Sequence, residues 1–377
     1  MYAAENHIQL LKNNLSNEVW ESGCEWVWQQ IFPLSRDLTG NYSNQTFQTQ
    51  KKWSSINTMD PAYDQYEKAR EFYRTHEYLA WIGEDESDEE TIRSANEEAL
   101  DQSENANSPA NTDSASAKIS DQPMIYLMQQ LMDYDFLMKH FYNVHTSTTA
   151  DRELMNAKNL LSKDLTLEKE DAPQILIYHT HSQETYADYA AGNKKATVVE
   201  LGNRLTALLE EKGYQVLHDT TSYDMAAGKL DRNHAYNYAL DGIMGILQKY
   251  PSIQVVLDLH RDGVKDSLHM VRTVNGKATA PIMFFNGMSQ TPEGEIEYLK
   301  NPYKTENLAF SLQMQLLAEE EYPDLTRKIF LKGLRYNLHV RPRSALIEVG
   351  AQTNTLEEAL NAMEPLADLL DQVLGGG

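Results

Sequence analysis

The sequence contains a single cysteine, Cys24, among its 377 residues. It therefore cannot form an intramolecular disulfide, and a zinc site built from several thiolates is excluded. Cysteine usage consequently does not indicate whether the chain works in a reducing or an oxidising compartment.

Long hydrophobic runs are absent as well. No stretch approaches the roughly 20 apolar residues that a membrane helix requires. The first residues also lack the basic-then-apolar pattern of a signal peptide. We therefore expect the chain as printed to be soluble, so that any export signal or membrane anchor of the native protein would have to lie outside it.

Positive charge is scarce: 33 Lys and Arg face 56 Asp and Glu, which gives a formal net charge of −23. The excess is concentrated in residues 84–113, where eleven acidic side chains accompany Arg93 alone. A nucleic-acid or anionic-membrane partner requires a basic face, and no run of Lys or Arg could build one. We therefore expect no nucleic-acid partner.

Composition divides the chain into four parts. Residues 1–82 combine many aromatics with helical spacing and predict a helical N-terminal region. Residues 83–122 are acidic and rich in Ser, Asn and Asp, so they cannot bury enough apolar surface to order, and we predict a disordered linker. Residues 123–172 predict a helical lead-in. Residues 173–377 form the fourth part, a globular domain.

Strand and helix patterns alternate through residues 173–377. The pattern predicts strands over 175–178, 214–217, 253–260 and 345–350, and helices over 197–212, 236–250, 307–321 and 355–374. It also predicts a hairpin in which Asn275-Gly276 joins strands 269–274 and 282–285. Thr355 and Glu358 predict a capping box at the start of the last helix. The expected fold is α/β, with a mostly parallel twisted sheet, helices on both faces and a helical N-terminal region before it.

Side chains suited to metal binding or acid–base chemistry lie at the ends of three of the predicted strands. The carboxyl ends of parallel strands share one edge of a sheet, so these residues can converge there. Two imidazoles and one carboxylate, with a position left for water, form a ligand set that catalytic zinc accepts. The pattern favours a metal hydrolase, and the candidate side chains are His179, His181, Glu184, Asp258, His260 and Glu348.

Glu348 suits the role of general base and then general acid. It lies in an apolar strand, Leu-Ile-Glu-Val-Gly, where a buried carboxylate is costly without a partner or a function. In a zinc hydrolase such a carboxylate can activate water and then protonate the leaving amine.

Residues 126–374 resemble stage II sporulation protein P, the peptidoglycan hydrolase of endospore-forming Firmicutes, which is related to zinc-dependent N-acetylmuramoyl-L-alanine amidases. Three segments carry the resemblance: 173–184 (PQILIYHTHSQE), 256–263 (VLDLHRDG) and 344–358 (SALIEVGAQTNTLEE). The resemblance implies hydrolysis of the amide between the lactyl group of N-acetylmuramic acid and L-alanine. It also implies an endopeptidase activity towards cross-links.

The resemblance implies that residues 173–377 are a zinc amidase catalytic domain. It further implies a role for each matching residue. His181 and His260 correspond to zinc ligands, Glu184 to the zinc carboxylate and Glu348 to the catalytic glutamate. If the local loop turns Glu184 away, Glu200 is the alternative. The remaining candidates are contacts to the substrate or to the ligands: His179; Arg261, which would hold a substrate carboxylate or pair with Asp262 or Asp258; and Asn354, which would orient its loop.

The family context implies peptidoglycan as substrate and membrane-bound sporulation partners that include a lytic transglycosylase. It also implies an extracytoplasmic, membrane-anchored protein, although this chain contains no anchor. Two alternatives stay open. One is a cell-wall binding or scaffolding module with an inactive amidase fold, and the other is a zinc carboxypeptidase-type hydrolase.

Overall fold

The structure is a computed structural model that describes residues 128–376. The predicted helical region 1–82 and the predicted acidic linker 83–122 lie outside these residues. None of the helices in the described range combines the length and the apolar character needed to cross a bilayer.

A seven-stranded sheet organises the described chain, in the strand order β1-β12-β9-β13-β6-β2-β3. Its strands are β1 (Tyr142–Val144), β2 (Ile175–Tyr178), β3 (Val216–His218), β6 (Val255–Asp262), β9 (Ile282–Gly287), β12 (Ile329–Lys332) and β13 (Arg343–Ala351). Three small two-stranded ribbons complete the set: β4 (Met225–Ala226) with β5 (Lys229–Leu230), β7 (Arg272–Val274) with β8 (Lys277–Thr279), and β10 (Gln290–Thr291) with β11 (Gly294–Glu295).

The sheet consists of two blocks of parallel strands, and the strands of one block run opposite to those of the other. Strands β13, β6, β2 and β3 run in one direction. Strands β9, β12 and β1 are parallel to one another, and β9 pairs antiparallel with β13. The prediction of a mostly parallel sheet is confirmed. The carboxyl ends of β2, β6 and β13 consequently lie on the same edge.

Helices cover both faces of the sheet, as predicted. The helices are α1 (Met128–Leu131), α2 (Tyr134–Phe141), α3 (Ala157–Leu161), α4 (Ala187–Ala190), α5 (Val198–Glu211), α6 (Ala235–Lys249), α7 (Lys304–Glu321), α8 (Leu356–Asn361) and α9 (Met363–Gly375). On one face the buried residues of α5, α7 and α9 form a core with Ile175, Ile177 and Leu257. On the other, α6 packs against Leu176 and Val256. This period-two alternation along β2 and β6 is what a strand buried on both faces requires.

Two predictions about secondary structure are wrong in detail. Asn275-Gly276 does form a two-residue turn, with φ angles of 51° and 76°, but it joins β7 to β8 because Val274 pairs directly with Lys277. The strand predicted to follow this turn, 282–285, is instead β9 of the main sheet. The single closing helix predicted over 355–374 is two helices. In a continuous helix the ring of Pro365 would clash with the carbonyl four residues earlier, at Asn361, which is where α8 ends.

The predicted capping box is confirmed: the Thr355 side chain accepts from the Glu358 N–H at 3.2 Å, and Glu358 accepts from the Thr355 N–H at 3.0 Å. The strand expected over 214–217 occupies Val216–His218, which places His218 at its end. The sequence pattern did not predict the short strands β1 and β12.

Candidate metal centre

The turn that follows β2 carries two of the predicted ligands. Asp224, which is fully buried, accepts hydrogen bonds from the Ser182 hydroxyl at 2.8 Å and from the Gln183 N–H at 2.9 Å. The Tyr186 hydroxyl donates to the Val349 carbonyl at 2.9 Å and so ties the turn to β13. These bonds fix the backbone on both sides of Glu184. Asp224 was not among the candidates, because nothing in its local sequence indicates this long-range contact.

Three predicted ligands meet at the carboxyl edge of the sheet. His181, Glu184 and His260 each direct one donor atom into a group whose atoms all lie within 4.8 Å of one another. His181 Nδ1 lies 3.4 Å from Glu184 Oε1, and His260 Nδ1 lies 3.5 Å from Glu184 Oε2. Among residues 128–376 this is the one cluster of its kind, and it does not include Glu200.

The donor set fits a divalent metal ion. Ligands about 2.0–2.2 Å from a tetrahedral zinc ion lie roughly 3.3–3.6 Å apart, which is the spacing of the two His–Glu contacts. Glu348 Oε2 is also buried without a hydrogen-bond partner among the described residues. A water molecule or substrate atom bound next to the donor group would give this oxygen a partner.

Electrostatics at the site favour a bound cation. Burial alone would raise the pKa of Glu184, but His260 and His181 outweigh it and hold the pKa well below its usual range. Burial alone would lower the pKa of His260, whereas the carboxylates of Asp258 and Glu184 raise it well above normal. Two buried carboxylates therefore require positive charge between them, which a protonated imidazole or a metal ion can supply.

Asp258 sets the orientation of the His260 ring. It is fully buried, and its Oδ1 lies 2.9 Å from His260 Nε2. Thr180 fixes this carboxylate by donating its backbone N–H at 2.9 Å and its hydroxyl at 2.6 Å. With Nε2 facing Asp258, His260 presents Nδ1 to Glu184. A carboxylate behind a histidine ligand is a recurrent arrangement in metal sites.

Glu348 lies beside this group on the neighbouring strand. It is the direct partner of His260 in the pairing of β13 with β6, so both side chains project from the same face. Burial, together with the charges of Asp262 and Glu184, raises its pKa well above the usual range against the opposing effect of His260 and Arg261. A carboxyl group with a strongly raised pKa in such a place is suited to proton transfer.

His179 lies outside the donor group. Its Nδ1 is 3.0 Å from the Leu259 carbonyl oxygen, and its Nε2 is 2.9 Å from His218 Nε2. Burial lowers the pKa of His179 to about 4, so the ring is neutral near pH 7. The contacts connect the end of β2 to the middle of β6 and to the end of β3. His218 was missed as a partner because its strand was predicted to end one residue earlier.

Arg261 makes hydrogen bonds to the turn that carries Glu184. Its backbone N–H donates to Glu184 Oε2 at 2.9 Å, and its guanidinium donates to the carbonyl oxygens of Thr185 and Asp262, both at 3.0 Å. No bond to the Asp262 or Asp258 carboxylate is part of this set. Arg261 therefore holds the backbone around Glu184.

Asn354 makes hydrogen bonds within the turn after β13. It is fully buried, and its Oδ1 accepts from the Ala351 N–H at 2.9 Å. Its amide donates to the Met270 carbonyl at 2.7 Å and to Glu358 Oε2 at 2.9 Å. These bonds leave Asn354 as a support of the loop next to the site.

A family model described as stage II sporulation protein P (SpoIIP) matches residues 43–371 of the chain. No curated protein sequence matches the chain.

Replacing Asp258 by Asn should weaken metal binding by about 10- to 100-fold, the usual effect of losing a carboxylate behind a histidine ligand. Titration of the metal-free protein with zinc against a competing chelator measures this. Asp135→Asn removes an equal charge from a side chain that is 76% exposed and should leave the affinity unchanged. Equal affinities of Asp258→Asn and the wild type would contradict the orienting role.

Replacing Gly202 by Ala should lower the free energy of unfolding by about 1–3 kcal/mol, the usual cost of overpacking. Gly202 lies on α5, and a Cβ there would be 2.7 Å from His179 Nε2 and would overlap His218 Nε2. The matched control is Gly245→Ala on α6, where a Cβ meets nothing within 4 Å. In that control the free energy of unfolding should rise by up to about 1 kcal/mol, because Ala favours the helix more than Gly does. Urea unfolding measures both, and an equal gain in both variants would disprove the close packing at Gly202.

Proposed function

Because the chain belongs to the stage II sporulation protein P family, which is associated with sporulation and peptidoglycan hydrolysis, we propose that it is a zinc-dependent peptidoglycan hydrolase. Its substrate bond is the amide between the lactyl group of N-acetylmuramic acid and L-alanine. Cleavage there releases stem peptides from the glycan strand. The same site would serve cross-link endopeptidase activity.

The observation that carries the proposal is the convergence of His181, Glu184 and His260 next to Glu348 at one edge of the sheet. The first three residues would hold the zinc ion. When bound, zinc supplies a Lewis acid that polarises the amide carbonyl and lowers the pKa of water towards neutrality.

Glu348 performs the proton transfers in this proposal. Its carboxylate takes a proton from the attacking water and then donates that proton to the amine of L-alanine as the amide bond breaks. Its raised pKa favours the protonated state that the second step needs. Glu184 stays ionised because His260 and His181 keep its pKa low. The two glutamates thus have different environments and different roles.

The family membership also supports a biological setting. We place the enzyme outside the cytoplasm, anchored to a membrane, where it would act on the septal cell wall during spore engulfment. Membrane-bound sporulation proteins, including a lytic transglycosylase, are the proposed partners. A lytic transglycosylase cleaves glycan strands, and removal of stem peptides would act on the same polymer.

Glu348→Gln should reduce turnover by about 10²–10⁴-fold, the usual contribution of general acid–base catalysis. Folding and zinc content should be retained, because the amide preserves the shape of the side chain. Clearing of purified cell walls, followed by turbidity, measures turnover. Glu200→Gln changes a carboxylate outside the donor group and should behave as wild type. A Glu348→Gln variant with wild-type turnover would refute the assigned role.

Removal of the metal with a chelator should abolish clearing, and added zinc should restore it. Analysis of the products should show free stem peptides and unsubstituted glycan. Release of terminal amino acids alone would indicate a carboxypeptidase-type hydrolase. Binding of muropeptide without turnover in the zinc-loaded protein would indicate a scaffolding module. Clearing that persists without metal would contradict the proposal.

A further inference from the structure

Arg327 precedes β12, in the block of parallel strands formed by β9, β12 and β1. Its side chain reaches the edge of the sheet that carries the candidate metal centre. Thr326 forms a bridge with Ile282 of β9, and the Arg327 N–H donates to the Ile282 carbonyl at 2.7 Å. This contact lies on the side of β9 that faces β12. On the other side of β9, Ile282 and Met283 pair with Val349 and Glu348 of β13. The backbone of Arg327 is therefore one strand away from Glu348.

The side chain of Arg327 crosses the end of β13. Its Nη1 lies 2.5 Å from Oδ2 of Asp262, the last residue of β6. Strand β13 lies between β9 and β6, and Ala351 near its end pairs with Asp262. The guanidinium is thus held at the edge of the sheet where His260 and Glu348 meet.

The guanidinium of Arg327 has N–H groups that make no hydrogen bond within the described residues. One nitrogen, Nη1, bonds to Asp262, whereas Nε and Nη2 make no hydrogen bond to residues 128–376. The side chain is 14% exposed, so it is largely desolvated but open to the surface. By contrast, Arg261 donates its Nε and Nη1 to backbone carbonyls. Arg327, and not Arg261, is the arginine with a fork of N–H groups available to a ligand.

We propose that Arg327 binds a carboxylate of the substrate's stem peptide and so positions the peptide beside Glu348. The proposal rests on the proposed function, because it takes the substrate to be a muramoyl peptide. A guanidinium matches a carboxylate with two parallel hydrogen bonds, and such bonds are stronger in a desolvated site. Asp262 fixes the guanidinium in advance, so little side-chain freedom is lost on binding.

The test compares two soluble muramoyl peptides that differ only in having free carboxylates or carboxamides on the stem peptide. The zinc-loaded wild type should show a KM roughly 10- to 100-fold lower for the free carboxylates, the range for a hydrogen bond to a charged group, with similar kcat. Arg327→Gln should remove this preference by raising KM for the carboxylate compound. Arg152→Gln, an exposed arginine on the surface, should keep the wild-type preference.

A wild type without preference, or an Arg327→Gln variant that retains it, would overturn the proposal. Because Arg327→Gln leaves Asp262 without this partner, thermal unfolding must show that the variant is folded. Arg327→Lys keeps the charge but loses the fork, and it should show a reduced preference. If the wild type hydrolyses neither compound, the proposed hydrolase function has failed. The carboxylate preference is then measured as a ratio of Kd values, and equal values would overturn it separately.

Discussion

The candidate site depends on one imidazole held between two buried carboxylates. Asp258 Oδ1 lies 2.9 Å from His260 Nε2, and Glu184 Oε2 lies 3.5 Å from His260 Nδ1. These three residues come from β6 and from the turn after β2, and each is at most 5% exposed. Charges buried to this extent are tolerated only when they compensate one another. The pairing of these charges therefore depends both on the register of β2 against β6 and on the shape of the turn after β2.

Several other contacts hold Glu184 and His260 in these positions. Asp224 and Arg261 hold the backbone around Glu184, while His179 connects the end of β2 to the Leu259 carbonyl beside His260. The antiparallel pairing of β9 with β13 adds a second consequence. It brings the segment before β12 to the same edge, and Arg327 can then reach Asp262 across the end of β13. An all-parallel sheet would have left the start of β12 at the opposite edge.

Much of this arrangement was predictable from sequence because the determining signals are local. Apolar runs that end in polar side chains placed His181, Glu184 and His260 on strand ends, and parallel topology brought them together. The direction of His179 was not predictable in the same way. It follows a strand of alternating side chains and packs towards α5, so the contact that decides its role, with His218, comes from another strand. Arg327 gave no signal, since its position depends on a strand pairing that no motif records. Strand β1 has only three residues, too few to show a period.

The most direct test of the metal centre is X-ray absorption at the zinc edge of the zinc-loaded protein. The account predicts one zinc ion per chain, with two imidazole nitrogens and carboxylate oxygen at about 2.0–2.2 Å. It also predicts that His260→Ala removes one imidazole from the spectrum. Zinc that binds without imidazole ligands, or a spectrum unchanged in His260→Ala, would contradict the assignment of His181, Glu184 and His260 as the metal ligands.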